Sequence, residues 1–345
     1  MSSESELLDL LWDRPEPEDW RAEYSALVST CALVARSDRA FVTVSGERCA
    51  EMLNGLLTQR VTNLSDTGRH ALLLTAKGRV LTDMRVLPRA EHLLLDLPRE
   101  GLENLLEALK KYLPPLYATF ENVGDGLRQL GVYGPGATAA VRDAVGTIPP
   151  DGHLAITEVD IDGRPTVIVR DERLLVGGLE FITRKADARS LAARLLEAVT
   201  RHEGRAAGLR ALEVVRVESG VPRYGADISQ ENLVQETGLE RDAVSYDKGC
   251  YLGQEVVARV HFRGHVNRHL RGLRFAGDLP SIGARLFAEG REVGVVTSAA
   301  FSPYMGPIGL GYVRREIETP ASLRWSDGPR EGAVIVDSLP LRTAV

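Results

Sequence analysis

Two hydrophobic periodicities alternate along this chain. Residues 32–35 and 40–44 are short apolar runs separated by a polar turn, and both read as strands. Apolar positions then spread to Met52, Leu53, Leu56 and Leu57, which is helical spacing. Ser45-Gly46-Glu47-Arg48 opens that helix, with Ser45 as its N-cap. Residues 71–75 and 80–87 flank the turn at Lys77-Gly78 and predict a β-hairpin, with 92–97 as a third strand. Leu102, Leu105, Leu106 and Leu109 share one face of a helix over 101–112. Lys110 and Lys111 suit its C-terminal dipole, and Pro114-Pro115 ends it. Further strands are expected at 129–134, 166–170, 174–176 and 180–183, and helices at 137–145, 187–200 and 209–218. Residues 221–247 read as a polar loop, and the run after Gly253 as a short helix or strand.

The pattern changes at the two ends. Residues 1–25 read as peripheral: Leu7, Leu8, Leu10, Leu11 and Trp12 make an amphipathic turn or two that Pro15 and Pro17 stop. After about residue 265 only short strands and glycine turns remain, which predicts a small all-β barrel or sandwich.

With 345 residues the chain exceeds a single core, so two or three domains are expected. Hydrophobic content of 44% and charged content of 26% are those of a soluble globular protein. A net charge of −6 argues against a surface that is wholly a nucleic-acid footprint, while leaving room for a local basic patch. Cys31, Cys49 and Cys250 are odd in number and far apart, which excludes a disulfide framework or a zinc ribbon. The start, Met-Ser-Ser-Glu-Ser-Glu, has no secretory character, and no apolar run is long enough to span a bilayer. The expected location is the cytoplasm, with reduced thiols.

Candidate chemistry centres on Asp247-Lys248-Gly249-Cys250-Tyr251-Leu252-Gly253-Gln254-Glu255. A lone cysteine is usually a small buried hydrophobe. Here it sits between glycines with a lysine two residues before it, and a neighbouring ammonium favours the reactive thiolate. Asp83 is an acid inside a strand-like run, either a solvated strand residue or a carboxylate that receives a proton from a basic nitrogen. Glu180 follows Gly177-Gly178, where a flat ligand can approach the backbone. Arg216 and Glu218 are two apart and face different ways on a helix. His261, His265 and His269 have the i, i+4, i+8 spacing that stacks imidazoles on a helix, but Gly264 and Asn267 interrupt the run, and no metal is expected. Arg259, Arg263, Arg268, Arg271 and Arg274 form either a solvated basic strand pair or a patch for phosphate, a polyglutamate tail or RNA. No Walker A, Rossmann or nucleophile-elbow motif is present.

The stretch from Lys248 to Glu255 resembles the signature of the YgfZ family of folate-binding proteins. These are relatives of the glycine-cleavage T-protein (aminomethyltransferase) and of a mitochondrial iron–sulfur assembly factor. The likeness extends through Val257-Ala258-Arg259, Phe262-Arg263-Gly264 and Asn267-Arg268, and upstream to residues 209–225, 78–83, Leu57-Thr58 and Ser45-Gly46. It covers nearly all of the chain after residue 25.

The resemblance implies an α+β, three-domain cloverleaf around a central channel for tetrahydrofolate or a one-carbon derivative. Residues 1–25 would be an extension. Residues 26–48 and 125–264 would form a discontinuous first domain carrying the Cys motif near its end, 49–124 an inserted second domain, and 265–345 a β-barrel. By the same resemblance Asp83 is the aspartate beside folate N5, with a catalytic role if one-carbon chemistry occurs. Glu180 binds the amino edge of the pterin, where a carboxylate accepts two N–H donors at once. Arg216 is a folate-binding arginine, and Tyr224 a further contact. Cys250, which the T-protein lacks, is the functional thiol, supported by Lys248, Gly249, Tyr251, Gly253, Gln254 and Glu255. Asp247 stands where the family often has a basic residue, and it would partly offset Lys248. The implied function is a folate-binding accessory in assembly or repair of iron–sulfur proteins, including tRNA-modifying enzymes. Retention of Asp83 keeps a folate-dependent aminomethyl- or methyltransferase as the alternative. The implied partners are folate and iron–sulfur client or assembly proteins. The chain is expected to be a monomer, with no direct nucleic-acid contact and no membrane.

Overall fold

The structure is a computed structural model and describes residues 19–342. Leu7 to Trp12, read above as amphipathic turns, lie outside the described residues. Helix α1 (Trp20–Ser29) is followed by β1 (Ala32–Ala35), β2 (Arg39–Ser45), α2 (Cys49–Leu56), β3 (Arg69–Leu74), β4 (Val80–Pro88) and β5 (His92–Pro98). Next come α3 (Leu102–Tyr112), β6 (Thr119–Asn122), β7 (Leu127–Tyr133), α4 (Ala137–Val145), β8 (Ile156–Asp160), β9 (Pro165–Asp171) and β10 (Gly178–Arg184). Then α5 (Ala188–Arg201), β11 (Arg205–Ala207), α6 (Leu209–Glu218), the one-turn helices α7 (Val234–Thr237) and α8 (Glu240–Ala243), and α9 (Gln254–Arg263). Six strands complete the fold: β12 (Arg268–Phe275), β13 (Arg285–Ala288), β14 (Arg291–Ser302), β15 (Gly306–Arg314), β16 (Ala321–Ser326) and β17 (Glu331–Asp337).

The strands form three units. A six-stranded sheet runs β11-β1-β7-β10-β9-β8, a five-stranded sheet runs β3-β4-β5-β2-β6, and β12 to β17 close a barrel. The fold is thus α+β with a C-terminal barrel. β1 and β2 are consecutive yet join different sheets. The boundary expected at residue 48 would have left β2 with β1, whereas its pairing with β5 and β6 puts it in the other sheet.

Strand alternation explains the continuous apolar runs. In β1, Leu33 faces a core shared with α4 and α5, while Ala32 and Val34 face α1, α6 and the barrel strands β12, β14 and β15. Both faces are covered, so no polar residue interrupts the run. The five-stranded sheet packs Val42, Val44, Met84, Val86, Leu95 and Leu97 against α2 and α3. Its opposite face meets the six-stranded sheet through Phe41, Leu87 and Leu94 against Val167, Val169 and Ile182.

Several local expectations differ from the structure. Ser45 ends β2 and does not cap the helix; Arg48 occupies the cap position of α2 without a side-chain capping bond. At Gly46 (φ +117°) the chain turns so tightly that a Cβ would lie 2.7 Å from the Tyr117 carbonyl oxygen, so the turn excludes a helix start there. Helix α1, unexpected in mixed sequence, buries Trp20, Tyr24 and Leu27 at helical spacing, and its Asp19 N-cap accepts from the Ala22 amide. Residues 174–176 are a loop, not a strand. The run after Gly253 is helix α9, which ends at Arg263, so His265 and His269 lie beyond it and the three histidines do not stack.

Candidate functional site

The site begins where the packed faces of the two sheets change from apolar to ionic. A period of two puts Arg39 on the face of Phe41, Arg85 on that of Leu87, and Asp96 on that of Leu94. On the six-stranded sheet the same rule puts Asp171 beside Val169 and Glu180 beside Ile182. Arg85 bonds Asp96 (Nε to Oδ2, 2.9 Å), Asp171 (3.1 Å) and Glu180. Arg39 Nε donates to Asp96 Oδ1 at 2.7 Å, and Arg36 bridges Asp38 (2.8 Å) and Glu180 (2.7 Å). Arg173 pairs with Asp171 at 3.2 Å. Four guanidiniums thus meet four carboxylates. Burial pushes Asp38, Asp96 and Asp171 toward the neutral acid, but the adjacent arginines outweigh it and hold all three below the usual carboxylate range.

Beside this seam lies a cavity of about 320 Å³, within the size range of small-molecule sites. Arg36, Asp38 and Arg39 of the β1–β2 link, Asp83 of β4, Asp171 and Arg173 form one side. Leu209 to Arg216 of α6 and the loop of Val221 to Arg223 form the other. Its walls carry six arginines and four carboxylates, and Asp96, Glu180, Asp227 and Glu100 beyond the wall pair with Arg39, Arg36, Arg216 and Arg223, so the lining is strongly polar with its charges matched. Asp83 is 4% exposed, and His70 Nε2 lies 2.9 Å from its Oδ2. Its Oδ1 is buried with no hydrogen-bond partner among the described residues, as is His70 Nδ1. Burial raises the Asp83 pKa, but the His70 hydrogen bond, with the charges of Arg173 and Arg39, brings it below the usual value, so the group is a carboxylate. His70 is kept neutral, first by burial and then by the charge of Arg173.

Of the residues expected from the sequence, the cavity wall brings together Asp83 and Arg216. Glu180 lies behind it: Oε1 accepts from Arg36 and the Tyr133 hydroxyl, and Oε2 from Gln129 (2.7 Å) and Arg85. Arg216 is fully engaged by the protein, by Glu213 (2.7 and 2.8 Å), Asp227 (2.7 Å), the Val221 carbonyl and Ser298 (2.8 Å). Tyr224 is buried in another core, where its hydroxyl accepts from Asn104 at 2.8 Å.

Cys250 is exposed and is not on the cavity wall. The Lys248 ammonium donates to the carbonyls of Asn54, Leu57 and Gln59 around the end of α2, and lies 5.0 Å from the Tyr251 ring. Burial, then the charge of Arg60, lowers its pKa to about 8. Asp247 bonds Ser245 (2.6 Å) and pairs with Arg60 (3.2 Å). Tyr251 packs into the core under the loop. Gly253 (φ +82°) starts α9, and a Cβ there would meet the Thr75 carbonyl oxygen at 2.6 Å. Gln254, half-buried, and Glu255, exposed, form its first turn. Lys248, Tyr251 and Gly253 therefore shape the loop, and Gly249 and Cys250 stand at its surface.

His261 stacks on Tyr246 (centroids 3.9 Å) and bonds Glu240 at 2.7 Å. Among the described residues no group of His, Cys, Asp or Glu is arranged to hold a metal. Sequence reading missed Arg36, His70, Arg85, Asp96 and Asp171. The available signal was a charged or imidazole side chain within an apolar strand run, because such a residue stays buried only with a partner.

Comparison with known proteins gives consistent matches. The GCVT N-terminal domain family matches residues 11–248, and the glycine cleavage T-protein C-terminal barrel domain matches 268–332. An aminomethyltransferase of Rubrobacter xylanophilus is 27% identical over 313 residues, covering 89% of this chain and 82% of that protein. The tRNA-modifying protein YgfZ of Serratia proteamaculans is 29% identical over 279 residues, covering 78% and 80%. The glycine cleavage system aminomethyltransferase T of Bartonella henselae superposes with a TM-score of 0.82 at 23% identity, covering 93% of this chain and 89% of that one, a likeness of fold.

Proposed function

The chain belongs to the glycine-cleavage T-protein superfamily, a folate-binding family, and to its YgfZ-type members, and from that premise we propose that it binds tetrahydrofolate or a one-carbon derivative in the Asp83 cavity and serves assembly or repair of iron–sulfur proteins, tRNA-modifying enzymes among them. The observation that carries the ligand half is the ionised Asp83 on the cavity wall, with one buried oxygen still lacking a donor. Asp83 would accept an N–H of the reduced pterin, and a wall arginine such as Arg223 would exchange its carboxylate partner for the glutamate carboxylates. Glu180 supports that wall from behind, and for it to reach a ligand Arg36 would have to release it. When bound, tetrahydrofolate supplies a carrier for one-carbon units.

Exposure of Cys250 outside the cavity supports the second half, because it offers the thiol to a protein partner. The test is a thermal shift with tetrahydrofolate, together with Cys250→Ser complementation of iron–sulfur enzyme activity in a strain lacking this chain. Full rescue by Cys250→Ser removes the thiol from the mechanism, and no shift at millimolar ligand removes the folate.

The second reading is a tetrahydrofolate-dependent aminomethyl- or methyltransferase, favoured by Asp83, whose carboxylate suits work at a nitrogen. It requires methylene-tetrahydrofolate formation from an amine donor, lost in Asp83→Asn. Under either reading the chain acts as a cytoplasmic monomer without direct nucleic-acid contact. No helix of the described residues is long and apolar enough to cross a membrane. The proposed division is a discontinuous first domain of residues 26–48 and 125–264, an inserted second domain of 49–124 and a barrel of 265–345, with β2 pairing to strands of the second.

A further inference from the structure

His70 plays no part in the reading above, and its surroundings are specific. It sits on β3 opposite Arg85, and Asp83 on β4 sits opposite Leu72, so the two are diagonal neighbours across one strand pair. His70 is 3% exposed and does not line the cavity, whereas Asp83 does. Since Asp83 is a carboxylate and can only accept, the proton in the 2.9 Å contact resides on His70 Nε2. That leaves Nδ1 as a bare acceptor and Asp83 Oδ1 without a donor, and an unmet buried acceptor is costly until a donor arrives.

We propose that His70 is the positioning residue for Asp83: its Nε2–H holds Oδ2, keeps the carboxylate ionised in one orientation, and reserves Oδ1 for an N–H of a reduced pteridine or similar amine in the cavity. This rests on the folate reading of the cavity. The other charged or titratable groups around the pair are Arg39 of β2, Arg85 of β4, Asp171 at the end of β9, Arg173 beyond it, His153, and Tyr224. Arg39 and Arg173 favour the Asp83 carboxylate alongside His70. Among the described residues only the His70 contact is a hydrogen bond to the Asp83 carboxylate, and so it is the one that fixes orientation.

The test titrates the Asp83 carboxyl by carbon-13 NMR in the full chain without ligand, and in parallel measures tetrahydrofolate affinity against pH by protein fluorescence. Replacing His70 by Ala is expected to raise the Asp83 midpoint by about one pH unit and weaken tetrahydrofolate about tenfold, both consistent with loss of one hydrogen bond to a charged group. His70→Gln, whose Nε2–H reaches the same oxygen, is expected to restore both. His70→Asn, too short to reach it, takes the place of the Ala variant if that one does not fold. An unchanged Asp83 midpoint without the donor overturns the positioning role. A shifted midpoint in a chain that never binds tetrahydrofolate keeps the His70–Asp83 pair but overturns its assignment to this ligand, and with it the folate reading.

Discussion

The Arg216 guanidinium reaches from α6 to Ser298 Oγ of β14 at 2.8 Å, and Asp227 accepts from both, from Arg216 at 2.7 Å and from Ser298 at 2.7 Å. Thr297 completes the knot with a 2.6 Å bond to Asp227. An arginine expected to hold a ligand is thus also the link between the α+β body and the barrel. Arg216→Ala leaves Asp227 buried without its counter-charge, and loss of about 3–5 kcal/mol is expected. Urea unfolding checks this, with Arg216→Lys expected to recover only part because it cannot make five directed bonds. A variant as stable as wild type would disprove the link.

Glu180 is the second hub. Its oxygens serve Arg36, Tyr133, Gln129 and Arg85, so Glu180→Ala takes one carboxylate from each of two arginines and leaves the Tyr133 hydroxyl and Gln129 amide without their acceptor in the buried network. The ligand-free Tm is expected to drop sharply, with a loss of about 3–5 kcal/mol. Loss of a ligand response in that variant therefore reports the wall, not a direct contact. A wild-type Tm for ligand-free Glu180→Ala would show that the hub carries no stability.

Within the Cys250 loop, structure and chemistry separate by residue. Lys248→Met deprives three carbonyls of their donor and is expected to cost about 1–3 kcal/mol. The rate of Cys250 alkylation should change less than about twofold, because the ammonium is already engaged by those carbonyls. Gly253→Ala, at φ +82° and against the Thr75 carbonyl, is expected to destabilise by about 1–3 kcal/mol. Cys250→Ser, at an exposed position, should leave Tm unchanged. Equal destabilisation by all three variants would contradict this division.

Acid sensitivity should come from the histidines of the seam before its carboxylates. His70 and His153 have folded pKa values below the unfolded 6.5, His153 near 4, with burial as the first cause. Below 6.5 the unfolded chain binds protons that the native chain does not, so stability falls as pH drops from 6.5 toward the folded values. Each such histidine contributes up to about 1.4 kcal/mol per pH unit. The depressed aspartates act in a lower window, losing their contribution as pH falls below about 3.8. Urea midpoints at pH 7.5 and 5.0 measure the effect, and His153→Gln should flatten part of it. A stability that rises on acidification over that range would reverse the assigned sign.

Much of the architecture was legible along the chain. The hairpin of β3 and β4, the helices α3, α4, α5 and α6, and the all-β end follow from local periodicity, since each element's buried face repeats at 2 or 3.6 residues. Asp83 was visible as an acid in an apolar run and Cys250 as a thiol among glycines. A discontinuous first domain was implied only by resemblance to a known family, because no local pattern marks an insertion.

What the sequence by itself determined was which residues are buried and which faces they share. What those faces meet was decided by the tertiary structure. The separation of β1 from β2 into two sheets depends on partners at residues 92–98 and 127–133. Glu180 is covered by Arg36, 144 residues away, and Lys248 is drawn to carbonyls about 190 residues upstream. A charge in low dielectric takes whichever counter-charge or hydrogen-bond partner the fold brings within about 3 Å. Spacing along the chain carries no record of that choice, so the ionic seam, the Arg216 link and the His70–Asp83 pair emerge only once the strands are paired.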